Sequence, residues 1–201
     1  MPESKPSAPD NLDGTTATDP VSASRLYPYL VPRAYLPHVD ASAPLEPIGH
    51  DVYVTLVFDA GGMVYGATSK DLATLRLDWQ AARSLALQNL ADLAKRQVIS
   101  TRFFPKGPGG LPFILVGGHW AAAAVILSAN FAGFAATQLK TDDVCASIPH
   151  REALLLFPCG TPQSRRAMRD LIRNNEGNAP KQLTFGLFAL KNGHIEALHD
   201  D

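Results

Sequence analysis

One stretch limits the fold of this chain more than any other. Two apolar runs, Val144-Cys145-Ala146-Ser147-Ile148 and Ala153-Leu154-Leu155-Leu156-Phe157, flank the polar link Pro149-His150-Arg151-Glu152. Each run is too short for a helix and apolar at both alternating positions, which predicts a strand covered on both faces. So short a link permits only a tight antiparallel return or one helical turn. The pair is therefore expected at the centre of a sheet, with the rest of the chain as its cover.

The cover can be read in order. Residues 1–24 are rich in Pro, Ser, Thr, Ala and Asp with almost no large apolar groups, so a disordered tail is expected there. Leu26 to Leu36 turns aromatic and aliphatic, but prolines at 28, 32 and 37 forbid a long helix or a central strand. An arm lying across the domain is expected, then a loop from Asp40 to Gly49. Asp51 to Phe58 is β-branched and aromatic, a strand that Asp59-Ala60-Gly61-Gly62 turns back through Met63 to Ala67. Thr68 and Asp71 have the spacing of a capping box. Asp78 is a candidate N-cap for a helix over Trp79–Arg96, whose Ala82, Leu85, Ala86, Asn89, Leu90 and Leu93 recur at helical spacing. Asn89 within that stripe predicts a core polar group with a backbone partner.

Val98–Phe104 and Leu111–Val116 read as partner strands, and Trp120 to about Ala136 as a buried helix. Thr161-Pro162 opens a last helix running toward Asn175, with Gly177 beyond as a stop and Ala167, Met168, Leu171 and Ile172 on its inner face. Leu183–Leu190 and His194–Leu198 close the chain as a hairpin. The sum is an α+β architecture: a mostly antiparallel sheet of about six to seven strands, three main helices, and one domain over residues 25–201.

Of the 201 residues, 46% are hydrophobic and 18% charged, with a formal net charge of −1. A core can be buried, and there is no overall electrostatic pull toward nucleic acid or anionic membrane. The uncharged run from Leu111 to Leu139 is long enough to raise a membrane span. Gly117-Gly118 splits it and no basic flank marks a side, so no span is expected. The two cysteines, Cys145 and Cys159, sit in apolar segments and are expected as reduced, buried thiols. The amino terminus carries no apolar run of the secretory type, which points to the cytoplasm.

No complete catalytic or cofactor-binding signature is present. The six histidines lack metal-ligand spacing and the glycine-rich turns lack the P-loop lysine, so no metal and no cofactor is expected. Asp51, Asp59 and Asp71 stand at element ends, where turns and caps account for them. Cys145 and His150 are conceivable as nucleophile and base, but five residues of strand span about 17 Å, so nearness in sequence does not bring the side chains together. Arg165, Arg166, Arg169 and Arg173 form a basic face on the last helix. A phosphate or nucleic-acid site is one reading; the solvated face of an amphipathic helix accounts for it more simply. The charged pair Arg151–Glu152 is harder to dismiss. Placed between two deeply buried strands, it must reach solvent or be paired, either tying loops together or forming one lip of a binding site.

The order of segments, with Ala86-Leu87-Gln88-Asn89-Leu90, Gly117-Gly118-His119-Trp120-Ala121-Ala122 and Ile148-Pro149-His150-Arg151-Glu152-Ala153-Leu154-Leu155, resembles the bacterial YtpQ-like proteins, a family defined by a domain of unknown function. The resemblance covers roughly Leu26 to Leu198. The family usually has Asp where this chain has Glu152, and an acid where it has Ala121. If that acid has a chemical role, this chain has lost it. The resemblance implies a cytoplasmic bacterial α+β domain and brings no activity with it. The reading is therefore a non-catalytic binding or interaction module, with a protein as possible partner and binding residues at His119, Trp120, His150, Arg151 and Glu152. The alternatives are a hydrolase or transferase near Arg151 and Glu152, and nucleic-acid binding through the Arg165–Arg173 face, against which the near-neutral charge argues.

Overall fold

In the computed structural model, which describes residues 21–107, 110–191 and 193–199, the central pair forms as expected. Strands β7 (Val144–Ser147) and β8 (Leu154–Pro158) are antiparallel, with Cys145 opposite Phe157 and Ala146 opposite Leu156. They occupy the middle of a six-stranded antiparallel sheet. β9 (Leu187–Lys191) and β10 (His194–Leu198) lie on one side, and β6 (Phe113–Gly117) and β5 (Ser100–Phe104) on the other. Both faces are covered. Val144, Ala146, Leu154 and Leu156 face the main core, while Cys145 and Phe157 face helix α4 (Pro162–Glu176).

The remaining strands form a second sheet rather than an extension of the first. Its centre is β3 (Val52–Asp59), which pairs along its full length with β1 (Leu26–Pro32). Its other edge is shared by β2 (Glu46–Gly49) and β4 (Val64–Gly66). The proline-rich arm is thus an edge strand, where a residue lacking an N–H is tolerated. Part of the expected loop from Asp40 to Gly49 is also strand. His50 and Asp51 both have positive φ, 49° and 57°, the conformation of the tight turn that closes the β2–β3 hairpin. The α+β class and antiparallel pairing stand, but the strands divide into sheets of four and six.

Helix α1 (Ser69–Thr74) opens on the Thr68–Asp71 capping box, and α2 (Trp79–Lys95) on Asp78, whose carboxylate accepts from the Ala81 N–H at 2.8 Å. The α2 stripe packs on the second sheet, with Ala82 and Ala86 against Leu26, Leu56 and Phe58. Asn89 donates to the carbonyls of Ala23 and Leu26 at 2.8 and 2.9 Å, anchoring the entry of β1. The tail expected over 1–24 lies outside the described residues up to position 20; from there Val21 already packs against the α1–α2 cluster and Ala23–Arg25 make a 3-10 turn, so the fold begins before residue 25.

The apolar stretch after β6 is not one helix. A 3-10 helix, Ala122–Leu127, is followed by Ser128 in extended conformation and then by α3 (Ala129–Leu139). Five successive residues of the 3-10 segment are buried, and their small side chains let its backbone meet the link of the central pair: the Ala123 N–H donates to the Arg151 carbonyl at 3.0 Å. Among the described residues no helix is long and apolar enough to cross a membrane. On α4, Met168 and Ile172 face inward as expected, whereas Ala167 is exposed.

The two cysteines are the clearest correction. Cys145 and Cys159 are joined in a disulfide, with Cα atoms 4.7 Å apart. The expectation of reduced thiols rested on composition, which does not register that a strand and its antiparallel return bring residues 14 apart to one face.

Candidate functional site

The link between the central strands is held by backbone hydrogen bonds on both sides. Besides the bond from Ala123, the Pro149 carbonyl accepts from Leu183 at 2.9 Å and the Ile148 carbonyl from Thr184 at 3.4 Å. With its backbone fixed, the link aims three side chains in different directions. His150 turns toward α4, where its Nε2 lies 3.3 Å from the Glu176 carboxylate. Glu152 turns outward to Lys181, Nζ to Oε1 3.1 Å. Arg151 alone turns inward, to 8% exposure.

Arg151 reaches the second sheet. One guanidinium nitrogen donates to the Tyr29 hydroxyl, and the guanidinium carbon lies 4.6 Å from the centre of the Tyr29 ring and 5.1 Å from that of Tyr35. Cation–π contacts of this kind help to hold a cation in a partly desolvated place. They do not neutralise it: among the described residues no carboxylate pairs with Arg151, and its Nε has no hydrogen-bond partner. Burial pushes the pKa of the Tyr29 hydroxyl up, with the Arg151 charge pulling the other way, so the hydroxyl keeps its proton at neutral pH.

Around this guanidinium lies a cavity of about 140 Å³ lined by Tyr29, Asp59, Gly62, Val64, Trp120, Arg151 and Lys181. The register of the second sheet explains the lining. Thr55, Val57 and Asp59 alternate onto one face of β3, opposite Tyr29, Tyr27 and Val64 of the neighbouring strands. Trp120 closes the wall, its ring 5.8 Å from that of Tyr29 and edge-on to Tyr27 at 5.9 Å. Tyr29 and Val64 also line a second cavity of about 280 Å³, to which Tyr35, His38 and Thr55 contribute. Thr55 is 3% exposed, and among the described residues its hydroxyl oxygen has no hydrogen-bond partner. A larger groove, about 770 Å³, lies between α2, the start of α3 and β10. Its arginine, Arg83, is already paired with Glu46, Nε to Oε2 2.9 Å.

Of the expected binding residues, the structure brings Arg151 and Trp120 to one cavity. Glu152 bears on it through Lys181, and His119 packs at a tilt against Trp120, ring centres 5.0 Å apart, without lining it. Burial lowers the His119 pKa, so the ring is neutral at pH 7; its Nδ1 accepts from the Ala121 N–H at 3.2 Å. His150 lies apart. Cys145 is locked in its disulfide with its side chain on the α4 face, so it offers no thiol to His150. On α4, Arg165 donates to the Gly160 carbonyl at 3.0 Å and Arg173 covers the Phe185 ring at 5.6 Å; Arg166 is exposed and Arg169 half-buried. Among the described residues no cluster of three or more His, Cys, Asp or Glu could hold a metal ion.

Tyr29 and Lys181 were not singled out from the sequence, and Asp59 was assigned only to its turn. Only the aromatic character of the Leu26–Leu36 arm hinted at Tyr29. No protein-family model, curated protein or solved structure matches this chain.

Proposed function

We propose that the protein is a non-catalytic binding module whose site captures a small anionic group, carboxylate or phosphate, at Arg151. One observation carries this reading: at the wall of a cavity stands a buried guanidinium that has no carboxylate partner among the described residues. A buried charge is costly unless it is paired, and a bound anion supplies the missing partner. Arg offers several N–H donors in a planar fork suited to carboxylate and phosphate, the protonated Tyr29 hydroxyl adds a donor, and Lys181, itself paired with Glu152, adds an ammonium donor at the rim. The resemblance to the YtpQ-like proteins, and the bacterial setting it implies, belong to the same proposal; the cytoplasmic part of that setting is opposed by the Cys145–Cys159 disulfide, since disulfides are rare in a reducing compartment.

The test is a titration of isotope-labelled protein with inorganic phosphate and with acetate at constant ionic strength, followed by NMR. Saturable shifts are expected at the Trp120 indole and at the backbone around Tyr29 and Lys181, and they should vanish in Arg151→Met. If neither anion produces a saturable shift there, the reading is wrong.

A further inference from the structure

Asp59 lines the same cavity as Arg151 and Lys181. Lys181 is paired with Glu152, but Asp59, like Arg151, has no ionic partner among the described residues. Its Oδ1 accepts from the Gly61 N–H at 2.9 Å, which accounts for its place in the β3–β4 turn. That bond leaves its second oxygen and its charge unmatched, since among the described residues Asp59 forms no ion pair. His119 lies close enough to feel the Asp59 charge but is neutral at pH 7. The absence of an Asp59–Arg151 or Asp59–Lys181 ion pair places the opposite charges more than 4.0 Å apart across one small cavity. An isolated anion would satisfy the basic wall and meet repulsion at the carboxylate. A molecule with a carboxylate and an ammonium a few bonds apart satisfies both.

We infer that the pocket recognises a zwitterion of the α-amino-acid type, its carboxylate on Arg151 and Lys181 and its ammonium on Asp59. This rests on the anion-binding reading above and adds the second charge. Hydrogen bonds of about 2.9 Å at each end, with the short backbone of the ligand between them, require a gap wider than a direct ion pair, as found here. The cavity of about 140 Å³ has room for that head group.

The experiment compares L-alanine, propionate and ethylamine as probes of wild type and of Asp59→Asn by the same NMR titration. Asparagine keeps the oxygen that accepts from Gly61, so the turn is retained. Alanine is expected to bind about tenfold or more tighter than propionate, the effect of one additional charge-assisted hydrogen bond. In Asp59→Asn that advantage should disappear while propionate binds as well as before or better. Alanine binding no tighter than propionate in wild type, or Asp59→Asn weakening both probes equally, overturns the inference and leaves the anion site standing. If none of the probes binds wild type, both readings fall. Ethylamine binding as tightly as alanine would also overturn it, because the carboxylate would then contribute nothing.

Discussion

Removing the Cys145–Cys159 cross-link gives a prediction whose size can be worked from the fold. The bond joins β7 to the end of β8 across a separation of 14 residues, so it closes a loop of about 15 residues in the unfolded chain. Chain entropy for such a loop corresponds to about 3 kcal/mol at 25 °C. Native strain is not expected to offset this, because the two Cα atoms are 4.7 Å apart, inside the range that a disulfide spans. Both cysteines are buried, so a reductant reaches them chiefly when the chain opens. The perturbation is therefore urea unfolding with and without dithiothreitol, followed by far-UV circular dichroism. With a slope of about 2 kcal/mol per molar urea, the midpoint should fall by roughly 1.5 M under reducing conditions. Thiol titration of the unreduced, denatured protein should find no free thiol. Coincident midpoints together with two titratable thiols would refute the reasoning and restore the expectation drawn from composition. The same titration bears on compartment, since disulfides persist where the surroundings are oxidising.

Three further outcomes follow from named contacts. Asn89→Ala removes the donors to Ala23 and Leu26, leaving two carbonyls to find other partners, and should cost about 1–3 kcal/mol in chemical unfolding with faster hydrogen exchange at the start of β1. Thr55→Val replaces a buried, unpartnered hydroxyl with a methyl of nearly the same shape; it should stabilise the ligand-free protein by about 1–2 kcal/mol, measured as a higher urea midpoint. His119 has its pKa lowered by burial, so its neutral form favours the fold: the stability it contributes is present above the ordinary histidine value and is lost as pH falls below about 6.5 through the lower folded value. Thermal scans between pH 7 and pH 4.5 should show a shallower acid decline in His119→Gln than in wild type.

The central strand pair was legible because both of its faces are buried, so every residue of each run is apolar and the signal does not depend on register. The capping box at Thr68 and the N-caps at Asp78 and Thr161 were legible for a related reason: each is settled within a few residues of chain. Asn89 was legible as a polar residue within an apolar stripe, although its partners lie 63 and 66 positions away. The division into two sheets was not. It depends on β2, a short strand holding Pro47 and closed by His50-Asp51, whereas tight hairpins usually announce themselves with Asn-Gly or Asp-Gly. It also depends on Gly49, where an added Cβ would stand 2.6 Å from that of Ala197, a close approach between the sheets that no local pattern records. The site was half legible. Arg151 stood out because a charge between buried strands demands an explanation. Tyr29, Asp59 and Lys181 join it through strand register and through a contact between residues 122 positions apart, which only the folded chain supplies. Asp59 shows why: as a turn residue it has a sufficient local role, and that role hides its place on the cavity wall.

The central claim is that Arg151 is kept for a ligand and not for the stability of the fold. Urea unfolding of wild type and Arg151→Met, each with and without phosphate at constant ionic strength, tests it directly. Replacing an unpaired buried cation by an apolar side chain of similar length should leave the ligand-free protein as stable as wild type or more so. Phosphate at about 100 times its dissociation constant should stabilise wild type by about 2.7 kcal/mol and Arg151→Met not at all. A loss of about 3 kcal/mol or more in ligand-free Arg151→Met, with no phosphate effect on wild type, would contradict the account and assign the arginine to architecture.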